Sequence, residues 1–159
     1  MARCNIPLTR RLACKLEGTV VNDQRTTATA ALLLRLSLGT MFVAHALLKY
    51  FVFTPAGTAK FFESLGLPGV LGYATIAAEL VGGVLLIVGL RTRIVALALV
   101  PVLLGATWAH SGNGWLFTSP HGGWEYPAFL TVALIVQGLL GDGAIAFRFG
   151  SPAPTLHRA

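Results

Sequence analysis

The sequence predicts an all-α integral membrane protein, a four-helix bundle running up-down-up-down with both termini cytoplasmic. Three observations carry that prediction. Of 159 residues, 55% are hydrophobic and 11% charged, with a mean hydropathy of +0.72, outside the range of an ordinary soluble domain. The apolar residues fall into four runs, each near the length that crosses a bilayer. The basic residues gather between alternate runs, as topology determinants do.

Residues 1–27 read as a basic cytoplasmic tail holding Arg3, Arg10, Arg11, Lys15 and Arg25. They lack the continuous apolar core and small-residue cleavage site of a signal peptide. Leu8, Leu12 and Leu16 recur at helical spacing beside Arg11 and Lys15. A short helix on an anionic leaflet and a disordered basic tail are both compatible with that pattern. Cys4 and Cys14 have no CxxC spacing and read as free cytoplasmic thiols.

The transmembrane domain covers 28–143, with spans at about 28–50, 70–90, 94–110 and 125–140. The two shorter spans fit if they tilt little or the bilayer thins. Pro101 predicts a kink in the third, because it cannot bond the carbonyl of Leu97. Gly82 and Gly83 predict a close helix contact in the second. Residues 144–159 form a cytoplasmic C-terminal tail. With the N-terminus inside, nine basic residues (Arg3, Arg10, Arg11, Lys15, Arg25, Arg91, Arg93, Arg148, Arg158) face the cytoplasm, against Lys49 and Lys60 outside. That asymmetry sets the orientation and reads the basic character as topology rather than nucleic-acid binding.

Two loops lie on the outer side. In the first, Phe61, Phe62 and Leu65 lay out a short amphipathic helix ended by Gly66 and Pro68, lying on the surface or forming part of a lid. The second carries Trp115, Phe117 and Trp124 among glycines. Together with Tyr126 these aromatic residues make a rim, read first as an interfacial belt. LGTMFVAH in the first span and LGATWAH in the third form a weak internal echo.

Chemistry has to come from the polar residues inside the apolar runs: Arg35, His45, Lys49, Glu79, His110 and Glu125. At about 100° per residue, Arg35, His45 and Lys49 share one quadrant of the first helix, which should face protein. The apolar side chains of the second span return about 5 kcal/mol on insertion, enough to carry Glu79 into the membrane. An unpaired carboxylate there is still expensive, so Glu79 is protonated or meets a cation. Counting about 1.5 Å per residue places Glu79 about 13 Å below the outer surface, His45 about 7 Å and Arg35 about 22 Å. On that count Arg35 or His45 is its counter-ion, with Lys49, His110 and Glu125 grouped above. The six residues form a ligand or proton-relay pocket open to the outside, or a set of ion pairs that fixes helix register. No histidine pair has ligand spacing, so no metal site is expected.

An Arg early in the first span, AHALLK (44–49), FFESLGLPG (61–69), AELVGG (78–83), GLRTR (89–93), the late His110 and GGWEYP (122–127) together resemble the DoxX family of small four-span membrane proteins. The resemblance covers about 31–143, with His45-Ala46 where the family usually has His-Gly. It implies a bacterial-type cytoplasmic (inner) membrane protein tied to quinone, thiol or sulfur redox systems, in which the six polar residues line a site for quinone or another small redox molecule. No haem pair, flavin fingerprint or iron-sulfur cysteine set is present in the sequence. Electrons would therefore pass through a membrane redox partner or a free quinone. The expected partners are the lipid bilayer, such a redox protein and a second copy of the chain, with no nucleic acid. A non-enzymatic scaffold or assembly component is the alternative function, and a small proton-coupled carrier the third.

Overall fold

The structure, a computed structural model, describes the backbone of residues 8–147 and the side chains of 23–147. Cys4 and the tail after Phe147 lie outside the described residues, as do the side chains of Cys14 and of the leucine stripe at 8, 12 and 16. The described residues are helical, without strands. They form α1 (Leu8–Phe51), α2 (Pro55–Ser64), α3 (Val70–Val88), α4 (Thr92–His110) and α5 (Glu125–Leu140), with one 3-10 turn at Ser111–Asn113.

Three stretches, Asp23–Phe51, Val70–Val88 and Thr92–Asn113, are long and apolar enough to cross a membrane, and α5 is a shorter apolar helix. Their surfaces invert the pattern of a soluble protein. Leu139 is 74% exposed and Phe129 70%, with Leu33, Leu97 and Leu104 also exposed, while Arg35, Glu79, Thr92, Thr131 and Gln137 are buried. Apolar faces this extensive call for an apolar solvent.

The buried positions of each helix recur at three- and four-residue intervals, one stripe per helix. On α1 the stripe is Ala31, Arg35, Leu38, Phe42 and Ala46; on α3 it is Gly72, Ile76, Glu79, Gly83 and Leu86; on α4 it is Thr92, Ala96, Leu99 and Leu103. α1 packs along α3, α3 on α4, α4 on α5 and α5 back on α1, while α2 lies against α3. Leu38, Phe42, Leu86, Ala96, Leu99, Leu103 and Leu134 meet in the middle. α4 passes through Pro101 as one continuous helix.

Glycines set the closest approaches. A Cβ on Gly83 would fall 2.8 Å from the carbonyl oxygen of Gly39, and one on Gly39 would meet the Gly83 carbonyl at the same distance. α1 and α3 therefore touch backbone to backbone. Gly82, one residue away, faces Leu99 of α4. The two halves of the sequence echo are not equivalent in packing, since Gly39 is pressed on α3 whereas nothing lies near Gly105.

The turns are written locally. Thr54 caps α2 by accepting a hydrogen bond from Gly57 N at 3.1 Å, with Pro55 in the first turn. α3 ends in a Schellman arrangement: Gly89 adopts φ 79° and Leu90 N donates to Leu85 O at 3.0 Å. The contacts Arg35 with Gly89, Gly39 with Gly83, and Lys49 with Glu79 follow α1 upward and α3 downward, so these helices are antiparallel. His45 with Tyr126 and Leu32 with Gly143 give the same sense for α1 and the α5 region. One end of the molecule thus gathers Lys49, Val70, His110 and Glu125, and the other gathers Asp23, Arg93 and Asp142.

Candidate functional site

The Lys49 ammonium donates to both oxygens of the Glu79 carboxylate, at 2.8 and 2.7 Å. The Glu79 side chain is 6% exposed and that of Lys49 21%, so the acid is enclosed and the base reaches it from the rim. This corrects the expectation that Arg35 or His45 would be the counter-ion. The reason is side-chain direction: in a helix Cα–Cβ bonds tilt toward the N-terminus. On α1, Lys49 leans back into the protein. On antiparallel α3, Glu79 leans toward it.

The same tilt sends Arg35 the other way. Its guanidinium donates to the carbonyl oxygens of Asp142 at 2.6 Å and Ile145 at 2.5 Å, in the segment after α5. The positive φ of Gly89 and the absence of a Cβ there make room for it, because a Cβ would run into the guanidinium. Gln137, also buried, donates to Gly141 O at 2.7 Å, and Ala144 N to Ala28 O at 2.9 Å. Arg35 therefore fastens the chain after α5 onto α1, about 21 Å along the helix from Lys49.

His45 lies one turn before Lys49 on α1. Its Nδ1 sits 2.8 Å from Met41 O. A carbonyl can only accept, so Nδ1 carries a proton, and in the neutral form of the ring Nε2 is left as the acceptor. The ring stacks on Tyr126 of α5, centroids 5.8 Å apart and planes at 21°. The Tyr126 hydroxyl is buried without a hydrogen-bond partner. The sequence places Tyr126 in the aromatic rim and carries no signal for this hydroxyl, since a tyrosine beside the acid Glu125 reads equally as part of an interfacial belt.

His110 and Glu125 are at the same end but make other contacts. His110 Nδ1 lies 3.1 Å from His121 O, and Asn113 Nδ2 donates to His121 O and Gly122 O at 3.2 and 3.0 Å. Glu125, in the first turn of α5, accepts from Phe117 N at 2.9 Å. Trp124 N and Glu125 N donate to Gly114 O and Trp115 O, and Trp115 meets Trp124 edge to face at 4.5 Å. These bonds close the 111–124 loop on itself. Among the described residues, no hydrogen bond or ion pair joins His110 or Glu125 to Lys49 or Glu79. The structure thus pairs Lys49 with Glu79, stacks His45, one turn back on α1, on Tyr126, ties His110 and Glu125 to the neighbouring loop, and holds Arg35 at the other end. No three His, Cys, Asp or Glu side chains cluster as a metal site among the described residues.

The family profile described as DoxX matches residues 30–112. The chain belongs to the DoxX family. Over 75 residues it is 45% identical to a Bacillus subtilis (strain 168) protein named "Putative oxidoreductase CatD", which covers 47% of this chain and 54% of that protein. The chain thus spans about half the length of the curated relative it matches. No solved structure matches it significantly. DoxX membership and the apolar helices together make this a membrane protein.

Proposed function

We propose that this chain is a redox-linked subunit of the bacterial cytoplasmic membrane, crossing it four times with both termini inside. Its ligand site opens outward around Lys49, Glu79, His45 and Tyr126, and takes a quinone or a comparable small redox molecule. The observations that carry this reading lie on one turn of α1: Lys49 pairs with the enclosed Glu79 of α3, and His45, one turn back, stacks on Tyr126 of α5, whose buried hydroxyl lacks a hydrogen-bond partner among the described residues. A buried hydroxyl without a partner costs about 1–3 kcal/mol, which a ligand carbonyl would offset. The His45 Nε2 would accept from a ligand hydroxyl. The name of the Bacillus relative supports an oxidoreductase connection. Ionisable residues inside a membrane are expensive to keep and point by default to a functional site.

Saturable quenching of tryptophan emission by a water-soluble quinone tests this reading, since Trp108, Trp115 and Trp124 all belong to this end. Wild type should saturate, and Tyr126→Phe, which keeps the ring, should weaken the response. A response without saturation, or one unchanged in Tyr126→Phe, sinks the ligand site. A scaffold with a structural ion pair then takes its place. The bidentate geometry of Lys49 and Glu79, which satisfies the acid within the protein, favours that second reading.

A further inference from the structure

At the end opposite Lys49, a cavity of about 510 Å³ is lined by Asp23, Gln24, Thr27, Ala28, Ala31, Arg93, Leu140, Asp142 and Gly143. It joins the early part of α1, the first turn of α4 and the segment after α5. Its volume falls within the range of small-ligand sites. The site proposed above uses none of these side chains.

We infer that this cavity holds the headgroup of a zwitterionic phospholipid carrying a primary ammonium. Depth is the first argument. Asp23 lies in the polar run 22–27 just before the apolar run of α1 opens at Ala28, Arg93 lies in the first turn of α4, and Asp142 follows the end of α5. All three therefore mark one boundary of the apolar thickness, the level at which headgroups lie. Ala28, Ala31 and Leu140 supply an apolar floor for the glycerol and first methylenes.

Charge is the second. Asp142 neighbours the Arg35 guanidinium, which also holds its backbone carbonyl. That leaves Asp23 and Arg93 as one acid and one base on a shared cavity, and among the described residues no ion pair joins them. Among the described residues Arg93 has no ion-pair partner and can take a phosphate, a role its planar fork suits, and its Nε would lie 2.8 Å from a Cβ at Gly141, so glycine there leaves the guanidinium its space. Asp23 and Gln24, with Thr27 one turn further along α1, offer acceptors to an ammonium with three N–H groups. A quaternary ammonium has no N–H to give them. An anionic glycerol headgroup would bring its phosphate to Arg93 and only neutral hydroxyl donors, with no positive charge, to Asp23.

The test is lipid retention. The full chain, reconstituted with equal parts of phosphatidylethanolamine, phosphatidylcholine and phosphatidylglycerol, is extracted, and bound lipid is counted by native mass spectrometry. Phosphatidylethanolamine should exceed each of the others by roughly five- to tenfold, the scale of one charge-assisted hydrogen bond. Asp23→Asn should lower it to the phosphatidylcholine level, and Arg93→Gln should lower both zwitterionic lipids. Both side chains are exposed, so circular dichroism should be unchanged in these variants. Displacement by soluble phosphoethanolamine would identify the headgroup alone as the ligand, and retention in its presence would identify the whole lipid. Equal retention of the three lipids, a preference for phosphatidylglycerol, or a phosphatidylethanolamine preference that survives Asp23→Asn overturns the inference.

Discussion

Glu79 has one cation, and each oxygen of its carboxylate is bonded to it. Removing one member of such a pair costs more than removing both, because the survivor is left enclosed and uncompensated. Glu79→Gln should lower the stability of the detergent-solubilised protein by about 1–3 kcal/mol, below the figure for fully buried pairs because Lys49 keeps access to the rim. Replacing both residues, Lys49→Met with Glu79→Leu, should recover most of that loss, and thermal unfolding of the three variants reads the difference. If the double variant is the least stable, the pair has a favourable net coupling. Arg35 behaves differently, since its partners are backbone carbonyls fixed by the fold. Arg35→Lys keeps the charge and loses the two-pronged grip, so hydrogen exchange in the 142–146 segment should rise by about tenfold or more. The sequence made the polar set legible because charges in apolar runs stand out. It did not make the partners legible, because counting depth along Cα atoms omits the tilt that sends Lys49 and Glu79 toward each other and Arg35 toward Asp142.

Among elements, the contact between α1 and α3 has the least tolerance. Gly39 and Gly83 place two backbones in contact, and an added methyl at Gly83 would meet Gly39 O at 2.8 Å and Val43 N at 2.9 Å. Neither atom is the end of a flexible side chain, so one helix has to move. Gly83→Ala should cost about 1–3 kcal/mol and disturb the Lys49–Glu79 geometry one turn away. Gly105→Ala is the matched control: nothing lies within 4 Å, so it should be neutral or stabilise by up to about 1 kcal/mol through helix propensity. Equal losses in an unfolding titration would refute the close-contact assignment. The GG pair in α3 announced a contact in the sequence, whereas its partner in α1 did not, since Gly39 and Gly105 sit in near-identical local sequence. Only the packing partner distinguishes them. The reach of α1 back to Leu8 was also not legible, because Asn22, Asp23 and three threonines between 26 and 29 end the apolar pattern without containing a proline or glycine that would end the helix.

For the whole molecule, the open question is how these helices sit in the bilayer. α5 has 16 residues, about 24 Å at the helical rise, against a hydrocarbon core of about 30 Å. A crossing by α5 therefore needs thinning or residues from its flanks, and Trp124 before it and Arg93 beside Gly141 are suited to those boundaries. The antiparallel contacts put the Gly89–Arg93 turn and Asp142 at one end, and the aromatic 111–124 loop at the other. In the proposed topology basic residues choose which end stays inside: Arg91 lies in the three-residue connection between α3 and α4 and Arg93 in the first turn of α4, while at the opposite end the Lys and Arg residues are Lys49 of α1 and Lys60 of α2. With Cys4 and Cys14 replaced by serine, Ser119→Cys should react with a membrane-impermeant maleimide on intact spheroplasts. Arg91→Cys should react only after permeabilisation, and so should a cysteine at Asp142. Labelling of the Asp142 position from outside would show that α5 does not cross. That would leave Tyr126 stacked on His45 at an end reached by three crossings, and would place the Arg35 clamp and the post-α5 segment on a re-entrant chain rather than on a completed fourth span.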